Sequence, residues 1–179
     1  MKKINNKHFK GKNGPYIIAE IGGNHEGDFS YAKKLTKLAA MSGADAVKFQ
    51  IYSGGTLVNN NIDYNRYKHF NKFKLKQHEY IELAKICKRY GTNFMASVWD
   101  PRSIDYIDKY IKVYKVGSGD LTNYYLIKKF LRTSKPLIVS TGLSDFDEVN
   151  NLINFISKED PNYIQEQKLA ILQCTSMYP

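Results

Sequence analysis

Tyr16-Ile-Ile-Ala-Glu-Ile21, then Phe29 to Ser42, then Asp45-Ala-Val-Lys-Phe-Gln50 is the stretch on which the fold turns. Its ends are short runs of β-branched, aromatic and small residues. Its middle sets Ala32, Leu35, Leu38 and Ala39 on one helical face and closes at Gly43. A strand, a helix and a strand in succession form a crossover unit, and a helical crossover leaves its two strands parallel.

The same unit recurs along the chain. Lys76 to Tyr90 carries Tyr80, Leu83, Ala84 and Cys87 at core spacing, with Gly91 as its stop. A strand over Asn93 to Ser97 follows, then a short helix opened by Pro101. Further strands read at Val113 to Gly117, Leu137 to Ser140 and Leu169 to Gln173, with helices from about Asn123 to Thr133 and Ser144 to Lys158. Six parallel strands joined by right-handed crossovers give either an open doubly wound sheet or a β/α barrel, and periodicity does not choose between them. Residues 51–75, rich in Asn, Tyr and Lys, are longer than a usual connection and read as an excursion over the strand ends, a candidate lid or partner surface.

The chain has 179 residues, 42% of them hydrophobic and 25% charged, which suits one core and excludes the disordered classes. No apolar run approaches the roughly 20 residues of a spanning helix, and the basic start lacks the apolar centre of a signal peptide. A cytoplasmic address, with no membrane partner, is the expectation. Cys87 and Cys174 form no disulfide or metal spacing and read as reduced. The net charge of +10 raises a nucleic-acid or anionic-surface binding module as an alternative. Lys2, Lys3, Lys7, Lys10 and Lys12 supply five of those charges, leaving 22 basic against 17 acidic residues. The helix lysines read as solvated faces, no recognised nucleic-acid motif accompanies them, and no nucleic-acid partner is expected. Residues 1–15 are set apart as a basic extension before the strand-and-helix region, 16–179.

Parallel strands covered on both faces should be nearly all apolar, yet each of these ends in polar groups. Glu20 closes the first strand, Lys48 and Gln50 the second, and Ser97 the third. Lys115 and Ser118 close the fourth, Ser140 and Thr141 the fifth, while Thr175, Ser176 and Tyr178 follow the sixth. The C-terminal strand ends build the active sites of β/α folds. A lysine within a strand must be answered by an anion, and two imply a doubly anionic ligand. Gly117-Ser118-Gly119 and Ser140-Thr141-Gly142 are hydroxylic, glycine-flanked turns able to present donors to phosphate. A phosphorylated or carboxylated small substrate fits. Glu20 either pairs with Lys48 across the neighbouring strand or orients a substrate hydroxyl or aldehyde and moves a proton. His25 either fixes its turn or serves as acid, base or ligand, with the turn preferred. Asp100 and Asp120, just beyond strands, read as contacts to substrate hydroxyls, and Asp100 reads equally as a helix cap before Pro101.

Five ordered blocks then carry a resemblance: Ile18-Ala-Glu-Ile-Gly-Gly-Asn-His-Glu-Gly-Asp28, Gly43-Ala-Asp-Ala-Val-Lys-Phe-Gln50, Tyr114-Lys-Val-Gly-Ser-Gly-Asp120, Val139-Ser-Thr-Gly-Leu143 and Gln173-Cys-Thr-Ser-Met-Tyr-Pro179. Together they resemble the sialic acid (N-acetylneuraminate) synthase family. The resemblance implies a parallel (β/α) barrel of the TIM type, here truncated after about six strands. It implies a transferase that condenses phosphoenolpyruvate with N-acetylmannosamine or a related N-acylated amino sugar, releasing phosphate, with a divalent metal, usually manganese. Carbon 3 of phosphoenolpyruvate attacks the aldehyde, water adds to the cationic carbon 2, and phosphate leaves with C–O cleavage. Glu20 would act near the sugar aldehyde; Lys48, Ser97 and Lys115 would hold the carboxylate; Ser118, Ser140 and Ser176 would hold the phosphate. Gln50, Asp120 and Tyr178 would contact or orient the sugar.

The sequence departs from the family at several points. Ala96-Ser-Val-Trp-Asp100 stands where Ser-Thr-Pro-Phe is common, Gln173 where histidine is common, and Ser176 where some members have Asn. Legionaminic and pseudaminic acid synthases are the nearest alternatives. The family's paired metal-binding histidines and its antifreeze-like domain would lie beyond Pro179, so no metal ligand is assigned within the chain. The isolated chain is expected to be marginally stable and inactive or nearly so, and the family's homodimer is doubtful for it.

Overall fold

The computed structural model describes residues 8–177; Tyr178 and the basic residues Lys2, Lys3 and Lys7 lie outside them. The chain divides into two compact units, one of residues 11–112 and one beginning at Val113 that also takes in residues 8–10. A short hairpin, β1 (Lys10–Gly11) and β2 (Gly14–Pro15), precedes the alternating elements.

In the first unit, β3 (Ile18–Gly22), β4 (Ala46–Ile51) and β5 (Asn93–Val98) pair in parallel in that order. Helix α1 (Phe29–Met41) crosses from β3 to β4, and α4 (Gln77–Arg89) leads into β5. Asp28 caps α1 by accepting from the Tyr31 N–H, a contact of the kind that contributes about 1 kcal/mol. The core lies on Val47, Phe49, Ile51, Phe94, Leu83 and Cys87, with the rings of Phe49 and Phe94 stacked at 5.5 Å. Burying side chains of this size contributes roughly 1.5 to 3 kcal/mol each. Burial also pushes the Cys87 thiol up to about 12, so it stays protonated and inert.

In the second unit, β6 (Ile111–Val116, which begins just before the boundary), β7 (Leu137–Ser140) and β8 (Leu169–Leu172) are parallel in that order. Helix α6 (Tyr124–Leu131) crosses to β7 and α7 (Phe146–Glu159) leads toward β8. Asn123 caps α6, and Asp145 with Glu148 forms a reciprocal box at the start of α7. Tyr114 stacks on Phe130 at 4.6 Å. A one-turn helix, α8 (Asn162–Gln165), buries Tyr163, whose hydroxyl donates to the Lys135 carbonyl at 2.7 Å.

The six strands fall within about two residues of their expected places. The excursion over residues 51–75 holds two helices that periodicity did not reveal, α2 (Gly54–Leu57) and α3 (Tyr64–Phe73). No residue of α3 is fully buried. Its start is fixed by Asp63, which accepts from the Arg66 N–H, and its body by Phe70 against Tyr52 at 5.3 Å. Asn71 accepts from the Gly54 N–H at 3.0 Å and ties the two helices together. After Val98, Asp100 accepts from the Arg102 N–H, so it caps the 3-10 turn Pro101–Ser103. The one-turn helix α5 (Ile104–Ile107) follows.

Candidate active site

In the first unit the strand register does the placing. Glu20 lies opposite Lys48 and Gln50 opposite Ser97. Opposite residues share a face, and so do residues two apart in a strand. Glu20, Lys48, Gln50 and Ser97 therefore stand on one face at the C-terminal ends of β3, β4 and β5. Lys48 Nζ donates to Glu20 Oε2 at 2.5 Å. The lysine side chain is 8% exposed and that of Glu20 52%. A buried ammonium is thus satisfied by a carboxylate that keeps half its surface for water or a ligand. The cross-strand pair that the sequence left open for Glu20 is present, and it is compatible with the carboxylate also meeting a substrate.

A glycine sets the position of that carboxylate. The β3–β4 register shifts between Glu20 and Gly22, a bulge that inserts one residue. Gly22 has φ +55°, and a Cβ there would stand 3.3 Å from Glu20 Oε1 and 3.7 Å from Gln50 Nε2. Nothing but glycine leaves this corner open without strain. Sequence reasoning passed over it, although a Gly-Gly pair directly after an apolar strand was the available signal. His25, three residues on, is 1% exposed, and its Nδ1 accepts from the Gly27 N–H at 3.1 Å. Burial pushes its pKa below the ordinary 6.5, with the Glu79 carboxylate pulling less strongly the other way. A neutral ring that fixes its own turn is the consequence.

In the second unit, Lys115 Nζ donates to Ser140 Oγ at 2.5 Å and to the Val116 carbonyl at 2.7 Å. Lys115 lies opposite Ile138, so Ser140 shares its face one step further along β7. Beside them Ser118 Oγ accepts from the Gly142 N–H at 2.9 Å. A Cβ at Gly142 would overlap Ser176 Oγ and stand 2.9 Å from Ser118 Oγ. Ser118, Gly142 and Ser176 are in this way gathered around one backbone position. Thr141 donates both its N–H and its hydroxyl to the Leu172 carbonyl, which ties the turn to the end of β8. Ser176 has φ +54°, an uncommon conformation for a residue with a side chain. Asp120 sits in the 3-10 turn Ser118–Asp120, half-buried, one residue past Gly119. An ammonium, two further hydroxyls and a turn N–H are the donor set that an oxyanion such as phosphate takes.

Among the described residues no three or more His, Cys, Asp or Glu side chains cluster closely enough to hold a metal ion. No helix of the described residues is long and apolar enough to cross a membrane.

The model of the NeuB family matches residues 35–179, which hold four of the five sequence blocks and both strand lysines, Lys48 and Lys115. The chain belongs to the NeuB family. This NeuB-family chain is 35% identical to the N,N'-diacetyllegionaminic acid synthase of Legionella pneumophila, over 92% of the chain and 49% of that protein. It is 29% identical to the human N-acetylneuraminate-9-phosphate synthase, over 92% of the chain and 47% of that protein. It spans about half the length of the curated relatives it matches. Among solved structures, an N-acetylneuraminic acid (sialic acid) synthetase from Leptospira borgpetersenii superposes with a TM-score of 0.82 at 23% identity, covering 92% of this chain and 55% of that one. That likeness establishes the fold class as the parallel β/α type of TIM barrels, the choice that periodicity had left open.

Proposed function

We propose that this chain serves a nonulosonic acid synthase, a transferase that joins phosphoenolpyruvate to N-acetylmannosamine or a related N-acylated amino sugar and releases phosphate in sialic-type acid biosynthesis. The observation that carries the reading is the second unit's cluster, Lys115 on Ser140 beside Ser118, Gly142 and Ser176. Ser118, Ser140 and Ser176 hold the phosphate there, and Lys115 supplies the fixed positive charge. Charge placed where phosphate departs lowers the barrier to C–O cleavage. Lys48, with Ser97 and Lys115, takes the substrate carboxylate. When that carboxylate takes the ammonium, Glu20 is released from its ion pair to hold a sugar hydroxyl or a proton near the aldehyde. Gln50, Asp120 and Tyr178 orient the sugar.

A divalent metal, manganese by the resemblance, supplies Lewis-acid activation of the aldehyde when bound. Residues 16–179 belong to the catalytic domain, with 1–15 as a basic extension, and a cytoplasmic address accompanies the reading. The higher identity to the legionaminic acid synthase, 35% against 29%, favours a second reading in which the sugar is the N,N'-diacetylated one. Titrating phosphoenolpyruvate into the chain and into its Ser140→Ala variant tests the carboxylate and phosphate assignments. Saturable binding that Ser140→Ala weakens at least tenfold is expected; no binding to either contradicts the proposal. Binding titrations of the two acylated sugars in the presence of phosphoenolpyruvate decide between the readings.

A further inference from the structure

The first unit has a second, differently built concavity at the opposite, N-terminal ends of its strands. Where β5 starts, the C-terminal turn of α4 and the segment from Lys109 to Lys112 enclose a hollow of about 670 Å³. Its charged lining is Lys85, Lys88, Lys109 and Lys112, and among the described residues no carboxylate lines it. None of the four is in an ion pair among the described residues. Lys12 adds a fifth ammonium at the rim, donating to the Gly91 carbonyl at 2.9 Å. The neighbouring acids are occupied or turned elsewhere. Asp45 is buried under the hairpin and accepts from the Lys12 and Ile17 N–H groups, Glu82 meets Lys33 at 3.7 Å, and Asp108 is outside the lining. The walls are apolar and aromatic: Ala84, buried Phe94 and half-buried Tyr110, with the Lys109 ammonium 5.2 Å above the Tyr110 ring.

Four ammonium groups facing one hollow repel each other, and a polyanion converts that repulsion into attraction. The size falls within the range of small-molecule sites, and the aromatic wall calls for a flat apolar part on the same ligand. We propose that this hollow is a binding site for a nucleoside polyphosphate, with Lys85, Lys88, Lys109 and Lys112 on the phosphate chain and Tyr110 against the base. The site is separate from the strand-end clusters of the proposed reaction and does not depend on that reading.

Calorimetric titration of the full chain with ADP, pyrophosphate and adenosine tests it, repeated with phosphoenolpyruvate present at saturation. ADP should bind with a Kd below about 1 mM and weaken as salt is raised, as screened charges require. Pyrophosphate should bind less tightly and adenosine should give no heat. Lys88→Gln with Lys112→Gln, both exposed positions, should raise the ADP Kd at least tenfold. Tyr110→Ala should weaken ADP severalfold and leave pyrophosphate unchanged, while Tyr110→Phe keeps the ring and should bind as the parent does. Absence of ADP binding at millimolar concentration, an unchanged Kd in the double variant, or displacement of ADP by phosphoenolpyruvate would each overturn the site. Equal binding of ADP and pyrophosphate would overturn the base contact, and tighter competition by polyuridylate would make the face a nucleic-acid surface instead.

Discussion

At the strand ends of the first unit a buried lysine is bonded to a carboxylate, Lys48 to Glu20; at those of the second a half-buried lysine is bonded to a serine hydroxyl and a backbone carbonyl, Lys115 to Ser140 and Val116. The difference separates two jobs that a lysine in a strand can do. Lys48 fills core volume and neutralises a neighbouring acid, so its removal disturbs packing, the acid and any ligand together. Lys115 is half-buried and donates into the Ser140 turn, so its removal should be felt by a ligand far more than by the fold.

Substitution of the two lysines gives the largest expected effects. Lys115→Ala should lower phosphoenolpyruvate affinity about a hundredfold, about 2.7 kcal/mol, while thermal unfolding shifts by no more than a surface substitution does. Lys48→Ala should weaken the same ligand and also cost about 1 to 3 kcal/mol of stability, read by urea denaturation. Lys48→Met should recover most of that stability through refilled volume and none of the affinity. Equal stability losses for Lys48→Ala and Lys115→Ala would erase the distinction.

Asp45 tests how the first unit is held at its other end. Its carboxylate accepts from two backbone N–H groups, Lys12 at 2.8 Å and Ile17 at 2.9 Å, which hold its pKa below the ordinary 3.8. Asp45→Ala should cost about 2 kcal/mol, the scale of hydrogen bonds to a charged group. Because the folded pKa is depressed, this contribution is complete above pH 3.8 and is lost as pH falls through the folded value. Acid titration of unfolding free energy should show a shallower acid limb in Asp45→Asn.

Gly142→Ala sharpens the comparison on the side of the second unit. The added methyl must displace the Ser176 side chain, a movable group, so phosphoenolpyruvate affinity should fall about tenfold, about 1.4 kcal/mol. The φ of Gly142 is an ordinary one, and the melting temperature should barely change. In the first unit Gly22→Ala meets a left-handed φ as well, so it should lose stability along with affinity.

The smallest effect belongs to His25. Its folded pKa lies below 6.5, so the unfolded chain binds more protons between that folded value and 6.5. Stability is therefore complete above pH 6.5 and declines as pH falls through that window. His25→Gln should flatten the decline measured between pH 7 and pH 5.

The contrast also explains what the sequence disclosed. Strands and the helix α4 announce themselves by burial on a fixed period, and Tyr80, Leu83, Ala84 and Cys87 are all buried as their spacing requires; in α1 the expected face is rotated, with Thr36 and Ala40 buried beside Ala32 while Leu38 is 56% exposed. Helix α3 was invisible because none of its ten residues is buried; aromatic edges and a cap hold it, and neither leaves a period. Lys48 and Lys115 were conspicuous as charges inside apolar runs. Gly22 and Gly142 were not, because the space a glycine keeps empty depends on Glu20 and Ser176, which only the folded chain brings to it. Asp45 read as the first residue of a strand, since its partners lie 28 and 33 residues away in the chain.

Calorimetric titration of phosphoenolpyruvate into the parent chain, Lys115→Ala and Ser140→Ala, with urea denaturation of the same three samples, tests the central claim most directly. The account predicts one saturable binding event in the parent, its loss in both variants and nearly unchanged unfolding free energies. Parent-like affinity in the two variants, or no binding by a folded parent chain, would contradict it.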